Sequence, residues 1–341
     1  MKTFGFALIG CGGIANIHKE AIKNITNAKL VGVFDANQSK AISFAKENEA
    51  RAYSSLEELL HDPMVDIVNI CTPSGLHAQY IIEAAKAKKN VVVEKPMVIK
   101  EEEIQEVQRV IKENGVKIEV VSQLRFTESI RRIKEAIDNN ELGNIKNVNY
   151  IMNYYRDEEY YSSSGWRGTW KMDGGGALMN QGIHGIDLIQ YLVGDVASLD
   201  AKCETVMHHI EVEDSALINL TFKNGATGYY NCNTISKPGY PRRIEFIGEK
   251  GRIVLEEDTI IEWNVNSKND LTSNESKLET GKNFLALPYE YHKLQFEDLI
   301  DSIINNRKPI VDEYEGAKAV RIILAAYQSS REKKRVILNE N

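Results

Sequence analysis

The chain has 341 residues, of which 43% are hydrophobic and 27% charged, and a formal net charge of −7. This length predicts about two domains, and this composition excludes a mainly disordered chain because it supplies apolar material for a core in each domain. The acidic balance, without a basic block, argues against nucleic acid and against a membrane surface as the partner, so a small molecule is expected.

Two further features indicate a cytoplasmic protein with reduced thiols. The first apolar run is too short for a signal peptide, and the sequence contains no run of ~18 apolar residues that could span a bilayer. The four cysteines, Cys11, Cys71, Cys203 and Cys232, lie far apart and form no CxxC pair. We therefore expect buried, reduced cysteines, no disulfide framework and no metal site.

The first part of the chain alternates short apolar runs with segments of helical period. The predicted strands are residues 4–9, 30–34, 67–71, 91–94 and 118–122. The predicted helices are residues 15–24, 39–48, 56–60, 78–87 and 101–113. Continuous apolar strands separated by helices are typical of a doubly wound parallel sheet covered on both faces. This pattern predicts an α/β Rossmann domain over residues 1–123.

The pattern changes near residue 147 to longer alternating strands joined by turns such as Asn224-Gly225. The predicted strands are residues 148–155, 215–222, 226–233 and 242–247, and the predicted helices are residues 180–192, 291–304 and 313–330. Residues 157–165 and 264–283 are predicted loops. Successive strands with hairpin turns indicate a large, mostly antiparallel open sheet. We predict an α+β domain over residues 124–341 that binds substrate and mediates self-association.

A glycine-rich motif follows the first predicted strand, with the sequence Gly10-Cys11-Gly12-Gly13-Ile14-Ala15. Gly10 permits a tight turn, Gly12 lets the backbone approach a pyrophosphate, and Ala15 allows close packing of helix on strand. Asp35 ends the second strand, about 20 residues after the last glycine, as the dinucleotide fingerprint requires. This combination predicts dinucleotide binding.

Asp35 also bears on which dinucleotide is bound. A carboxylate accepts hydrogen bonds from a ribose 2′-hydroxyl and repels a 2′-phosphate, and no Arg follows it in Ala36-Asn37-Gln38. We therefore predict NAD in preference to NADP. The alternative role for Asp35 is capping of the turn after its strand.

Two more strand ends carry polar groups, at the edge where parallel sheets bind ligands. They are Cys71-Thr72-Pro73, followed by His77, and Glu94-Lys95-Pro96. The alternative for His77 is a structural hydrogen bond at a helix start, and the alternative for Lys95 is a solvated strand end.

These motifs, together with the segment from Gly174 to Asp187 that contains Gly174-Gly175-Gly176 and His184-Gly185-Ile186-Asp187, resemble the Gfo/Idh/MocA oxidoreductases over nearly the whole chain. The resemblance implies that Lys95 lies beside the nicotinamide and that His184 is the catalytic acid or base. The expected cofactor contacts are Gly10, Gly12, Gly13, Ile14, Asp35, Cys71, Thr72, Pro73, His77, Glu94, Lys95 and Gln123.

The implied reaction is oxidation of a secondary alcohol, in which a base takes the hydroxyl proton as hydride leaves for the nicotinamide. His184 would be that base, and Lys95 would stabilise the developing negative charge on the same oxygen, in a cleft between the domains. Asn180, His184 and Asp187 have the i, i+4, i+7 spacing of one helix face. Inositol-active relatives usually carry Asp where this chain has Asn180, so Asn180 is expected to bind a substrate hydroxyl, as in some nucleotide-sugar members.

Other substrate contacts are expected from Arg125, Trp166 and Asp187. Arg125 could hold a carboxylate, a phosphate or sugar hydroxyls, or else form an interdomain ion pair. Trp166 lies in an aromatic and Arg-containing loop, residues 160–170, which suits a sugar or serves packing. Asp187 could orient His184, bind substrate or be structural.

The favoured function is therefore an NAD-preferring dehydrogenase of a sugar, cyclitol or sugar derivative. The alternatives are UDP-sugar 3-dehydrogenase-type specificity, an NAD-dependent glycosidase that works by transient oxidation, and a non-catalytic NAD-binding regulator. The presence of both Lys95 and His184 argues against the regulator. One open face of the second domain's sheet predicts a homodimer or homotetramer.

Overall fold

The computed structural model describes residues 2–265 and 288–338. They divide into two compact units. The first contains the chain up to Gln123 and Pro288–Ala317, and the second contains the described residues from Leu124 to 265 and from Lys318 to 338.

Up to Gln123 the chain alternates strands and helices. The strands are β1 (Phe4–Ile9), β2 (Ala28–Phe34), β3 (Arg51–Ala52), β4 (Ile67–Ile70), β5 (Asn90–Val93) and β6 (Ile118–Val120). The helices are α1 (Gly13–Lys23), α2 (Gln38–Glu47), α3 (Leu56–His61), α4 (His77–Lys86) and α5 (Glu101–Asn114). All the strands pair in parallel, in the order β3-β2-β1-β4-β5-β6. The predicted doubly wound sheet is confirmed.

Helix α5 illustrates how local sequence sets these boundaries. Three glutamates, Glu101, Glu102 and Glu103, occupy its first turn, where the positive end of the helix dipole favours them. Gly115 ends it in the left-handed conformation, at φ 64°. Between these ends, every third or fourth residue is apolar and buried.

From residue 124 onward the strands are longer. They are β7 (Ile145–Asn153), β8 (Val196–Glu204), β9 (Ser215–Phe222), β10 (Thr227–Asn233), β11 (Arg243–Gly248), β12 (Gly251–Glu256), β13 (Thr259–Asn264) and β14 (Val336–Ile337). The helices are α6 (Glu128–Asp138), α7 (Glu158–Ser162), α8 (Ile183–Val193), α9 (Tyr289–Ile304) and α10 (Glu313–Glu332). The sheet has the order β13-β12-β11-β7-β10-β9-β8-β14. Only β7 and β10 pair in parallel among its described strands, so the mostly antiparallel sheet is confirmed.

The second unit differs from the predicted 124–341 domain because helix α9 returns to the first unit. Phe296, Leu299 and Ile300 are buried in the core that contains Phe6 and Leu8 of β1. Burying three large apolar side chains outweighs their distance along the chain. Residues 288–317 therefore belong with the dinucleotide-fold unit.

Several shorter elements also differ from the predictions. The sequence analysis did not predict strands β3, β8, β12, β13 and β14. The predicted loop 157–165 contains helix α7. Asp157 caps the start of this helix because its side chain accepts a hydrogen bond from the Tyr160 N–H. Most of the predicted loop 264–283 lies outside the described residues. Within residues 2–265 and 288–338, no helix is both long enough and apolar enough to cross a membrane.

Candidate active site

Five parallel strands bring the predicted cofactor residues to one edge of the first sheet. The glycine-rich loop follows β1, Asp35 follows β2, Thr72 follows β4, Lys95 follows β5 and Gln123 lies beyond β6. The strand order reverses direction between β1 and β4, and ligands of such sheets bind at the carboxyl ends beside that point.

The glycine-rich loop is shaped by close packing against the end of β4. Gly10 has φ +96°, and a Cβ on it would lie 2.7 Å from the carbonyl oxygen of Cys71. Helix α1 begins at Gly13 with no acidic residue in its first turn and no side-chain cap from the described residues. Its N-terminus is therefore suited to a pyrophosphate.

Asp35 ties this loop to the turn after β2. Its Oδ2 accepts a hydrogen bond from the Cys11 N–H at 2.8 Å, and its Oδ1 accepts one from the Asn37 N–H at 2.8 Å. Each carboxylate oxygen has two lone pairs, so both can accept a further hydrogen bond from a ribose hydroxyl. The turn-capping and ligand-binding roles of Asp35 are thus compatible.

Two polar atoms at the same edge support a bound ligand. The Thr72 hydroxyl and the Gln123 Oε1 are buried and have no hydrogen-bond partner among the described residues. Buried polar atoms are normally paired, so such orphans call for a partner that the protein does not provide. The residues present therefore fit a dinucleotide.

His77 and Glu94 face the protein interior. The His77 Nδ1 lies 2.7 Å from the Pro96 carbonyl oxygen and its Nε2 lies 2.9 Å from that of Thr72, so the ring joins the segments after β4 and β5. Burial lowers the pKa of His77. The Glu94 carboxylate lies 2.9 Å from the His18 Nε2. These contacts support the structural alternative for His77, while the cofactor contacts of His77 and Glu94 stay predictions.

All four cysteines are free thiols, of which Cys71 and Cys232 are buried whereas Cys11 and Cys203 are only half-buried. The expectation that all four are buried is therefore wrong for two of them. Burial, with the charge of Asp35, raises the pKa of Cys11 to about 12. A protonated thiol is a poor nucleophile at neutral pH. Cys11 therefore contributes its backbone N–H, which donates to Asp35, and not a reactive thiolate.

In the second unit, the segment that carries Asn180 and His184 is not one regular helix. Residues Ala177–Gly182 form a π-helix, and α8 begins at Ile183, with His184 half-buried in its first turn. The regular helix predicted over residues 180–192 is therefore wrong at its start, where the turn is π-helical, and the shared face of Asn180 and His184 stays a prediction. Single π-helical turns often occur at functional sites.

Asn180 is held by a carboxylate that the sequence analysis did not single out. Its Nδ2 donates to the Asp173 Oδ1 at 2.7 Å, and the Asp173 Oδ2 accepts from the Gly168 N–H at 3.0 Å. Donation by the amide nitrogen sets the orientation of the Asn180 side chain. The only sequence signal for Asp173 is its position directly before the glycine run.

Arg125 and Asp187 form a buried ion pair with each other. The Arg125 Nε and Nη2 donate to the two carboxylate oxygens at 2.9 and 2.6 Å. The guanidinium also lies over the Tyr191 ring, 4.5 Å from its centroid. Both partners belong to the second unit, so this is not the interdomain ion pair that was the alternative for Arg125. Any substrate contact of either side chain would be made in addition to this ion pair.

The aromatic loop forms a cluster of stacked cations and rings. The Arg167 guanidinium lies 4.3 Å from the ring centroid of Tyr160 and 5.4 Å from that of Trp166. The Tyr160 hydroxyl accepts from the Gln181 Nε2 at 2.8 Å, which connects the loop to the π-helix. Trp166 is half-buried in this cluster, so it packs and still presents surface.

Glu213, another residue missed in the sequence, anchors the start of the π-helix. Its carboxylate accepts hydrogen bonds from the backbone N–H groups of Gly176 and Leu178 and from the Tyr327 hydroxyl, at 2.8–3.0 Å. Gly176 must be glycine because a Cβ would lie 1.8 Å from the Glu213 carbonyl oxygen. Complete burial raises the pKa of Glu213 to about 7, although these hydrogen bonds oppose the rise.

We expect Glu213→Gln to change how stability depends on pH. The folded-state pKa of about 7 lies above the ordinary 4.5, so the folded state favours the protonated Glu213 carboxyl. The contribution of this carboxyl to the free energy of unfolding is therefore present below pH 4.5 and is lost as pH rises through 7. The advantage of the variant over wild type should grow by about 2 kcal/mol between pH 5.5 and 8.5, measured by denaturant unfolding. Glu135→Gln, at an exposed position on α6, is the control. A constant difference across this range would contradict the prediction.

A parallel sheet of this order, a glycine-rich loop before a helix and orphan polar atoms at the same edge define a dinucleotide-binding protein. The model described as the oxidoreductase family, NAD-binding Rossmann fold, matches residues 4–122, and the GFO/IDH/MocA C-terminal domain matches residues 130–254. The chain belongs to the Gfo/Idh/MocA family and is an NAD(P)-dependent dehydrogenase.

Its relatives include sugar and cyclitol dehydrogenases. Glucose-6-phosphate 3-dehydrogenase of Bacillus subtilis is 32% identical, and the match covers 73% of this chain and 73% of the relative's chain. The myo-inositol 2-dehydrogenase of Thermotoga maritima is 28% identical, and the match covers 98% of each chain. The crystal structure of the WlbA dehydrogenase from Bordetella pertussis in complex with NADH and UDP-GlcNAcA is 32% identical, with a TM-score of 0.91 over 100% of this chain and 99% of that one.

Proposed function

We propose that this protein moves a hydride between NAD and a secondary hydroxyl or ketone of a sugar, a cyclitol or a sugar derivative, with Lys95 and His184 acting at the reacting oxygen. The observation that carries the proposal is that Lys95, two residues after β5, lies at the same sheet edge as the glycine-rich loop and the orphan atoms of Thr72 and Gln123. A nicotinamide cofactor bound at this edge meets a lysine at the carboxyl end of the neighbouring strand.

Asp35 supports NAD over NADP. Its carboxylate is held by two backbone N–H groups, which keeps a negative charge where a 2′-phosphate would have to lie. The similar WlbA structure contains NADH.

The chemistry assigned to the two residues follows from their side chains. When bound, oxidised nicotinamide accepts the hydride. His184 takes the hydroxyl proton as general base, which contributes about 10²–10⁴-fold to the rate. Lys95 donates a hydrogen bond to the same oxygen and stabilises the charge that develops there. In the reductive direction His184 returns the proton to that oxygen, and Lys95 again donates its hydrogen bond to it.

A second specificity, that of a UDP-sugar 3-dehydrogenase, is favoured by Asn180. Its amide is bound to Asp173, and it stands where the inositol-active pattern has a carboxylate. The relative in complex with UDP-GlcNAcA adds to this case. Arg167 and the rings of Tyr160 and Trp166 offer charge and stacking surface suited to a nucleotide-sugar.

The experiment is a substrate screen followed by NADH absorbance at 340 nm. Sugars, inositols, sugar phosphates, sugar acids and UDP-sugars are each supplied with NAD and, in parallel, with NADP. We expect one class to be oxidised with a higher kcat/KM for NAD. A higher kcat/KM with NADP would contradict the cofactor assignment, and turnover without added or bound dinucleotide would contradict the function.

We further propose that the open face of the second sheet mediates a homodimer or homotetramer. Leu217 of β9 and Tyr229 of β10 are exposed on neighbouring strands. Apolar side chains on an open sheet face are commonly covered by self-association. We expect light scattering to give a multiple of the 38.5 kDa chain mass. A mass of one chain at micromolar concentration would contradict the proposal.

A further inference from the structure

The residue before Lys95 belongs to a buried polar cluster in the core of the first unit. Glu94, at the end of β5, meets His18 of α1 and His292 of α9, and all three side chains are buried. Asn69 of β4, itself fully buried, lies on the far side of the His18 ring. Buried groups of this kind are costly unless they pair, so their pairing indicates what they do.

The directions of the hydrogen bonds follow from the donor at one end. The Asn69 Nδ2 is a donor only, so at 3.2 Å the His18 Nδ1 must be the acceptor. The His18 Nε2 therefore carries the proton and donates to the Glu94 Oε1 at 2.9 Å. The thiol of Cys71, whose pKa burial raises, lies 3.4 Å from the same Nδ1 and is also a donor. The chain of contacts runs from the Asn69 amide through the His18 imidazole to the Glu94 carboxylate.

The other oxygen of Glu94 holds the backbone of Lys95. The Oε2 accepts from the Lys95 N–H at 3.2 Å. Burial opposes ionisation of Glu94, but the hydrogen bond from His18, followed by the charges of His18, His292 and Lys95, lowers its pKa to about 2. A permanent negative charge is thus buried beside the residue that the proposed mechanism uses as a cation.

We propose that Asn69, His18 and Glu94 form a positioning network for Lys95. The network fixes the peptide that carries Lys95, and the Glu94 charge keeps the Lys95 ammonium protonated as a hydrogen-bond donor to substrate oxygen. This inference rests on the proposed role of Lys95. None of the three side chains needs to touch the substrate, so they are positioning residues rather than catalytic ones.

His292 provides an internal contrast within the cluster. Its Nε2 lies 3.8 Å from the Glu94 Oε1, which is beyond hydrogen-bond distance. Burial, together with the neighbouring His18, lowers the pKa of His292 to about 4. His292 therefore packs against the network without belonging to it.

The test compares His18→Phe and Glu94→Gln with the matched control His292→Phe. His18→Phe keeps a ring of similar volume but removes the donor, whereas His292→Phe removes a ring that makes no hydrogen bond to the network. We expect the first two variants to lower kcat about 10–100-fold and to shift the alkaline limb of the pH profile downward by about one unit, with little change in the Kd for NADH. We expect the control variant His292→Phe to match wild type in kcat and in the pH profile.

The other titratable groups that face Glu94 are His18, His292, Cys71, His77 and Lys95. A double variant separates the effect on Lys95 from the rest. Adding Glu94→Gln to Lys95→Met should not lower kcat further if Glu94 acts through Lys95. A further loss in the double variant would overturn the proposal, as would unchanged kcat and pH profile in folded His18→Phe and Glu94→Gln.

Two outcomes distinguish this proposal from other failures. If Lys95→Met alone keeps full activity, the proposed function fails rather than the network. The His18, Glu94 and His292 ligand atoms also lie within 4.8 Å of one another, as in a metal site. A bound metal would need the Nε2 lone pair of His18, so one equivalent of zinc detected by mass spectrometry, and lost in His292→Phe, would overturn the proposal.

Discussion

Lys95→Met and His184→Gln are each expected to lower kcat by about 10²–10⁴-fold in folded protein. Methionine keeps the length of the lysine side chain but removes its charge and its donors, so the developing charge on the substrate oxygen loses its partner. Glutamine at position 184 retains polarity but cannot act as a base near neutral pH. Because both effects fall on the chemical step, NADH binding measured by titration should persist in both variants.

Two matched substitutions control for nonspecific effects of the same changes. Lys100→Met alters an exposed lysine shortly after Lys95, and His61→Gln alters an exposed histidine at the end of α3. Both should retain wild-type kcat. Full activity in either Lys95→Met or His184→Gln, on the substrate that the screen identifies, would refute the proposed mechanism.

Asp187→Asn is expected to lower the unfolding free energy by about 3–5 kcal/mol. The change removes the negative charge that Asp187 places against the buried Arg125 guanidinium, and removing one partner of a buried ion pair is costly. Replacing both partners, as in Arg125→Met with Asp187→Leu, should cost much less than the two single changes together, because the buried charge is then absent. The measurement is denaturant unfolding of the transition that reports on the second unit.

The exposed pair Arg335 and Asp200 in the same unit is the matched control. It is also an Arg–Asp contact, but its side chains are 59% and 42% exposed, so Asp200→Asn should change stability by less than about 1 kcal/mol. Equal costs for Asp187→Asn and Asp200→Asn would show that burial does not decide the worth of the Arg125 pair. A selective loss of substrate affinity, without loss of stability, would instead assign the pair to substrate binding.

The sequence predicted the first sheet well because its signals are local. The glycine-rich loop, the helix after it and Asp35 lie within about 25 residues of one another, and each has a specific stereochemical reason. The second domain was predicted less completely. Strands β12 and β13 and the short β14 carry weak alternation, and β14 joins the sheet only because it pairs with β8 from far along the chain.

The helix before and after His184 shows a different limit. Apolar spacing predicts a helix there, but it does not distinguish a π-helix from an α-helix. The difference depends on Glu213, which binds the backbone of Gly176 and Leu178, and on the Tyr230 hydroxyl, which donates to the Gly182 carbonyl. Tyr230 lies on β10 and Glu213 lies in the loop before β9, both far along the chain from the π-helix.

The sequence by itself determined the family, the two sheets and the dinucleotide edge, because strand period, turn chemistry and motif spacing act over short stretches of chain. Only the tertiary structure decided that residues 288–317 pack with the first unit, that Arg125 pairs with Asp187, and that His18 is hydrogen-bonded to Glu94. The reason is physical: a buried charge or ring must find a partner in three dimensions, and hydropathy alone does not specify which distant residue that partner is.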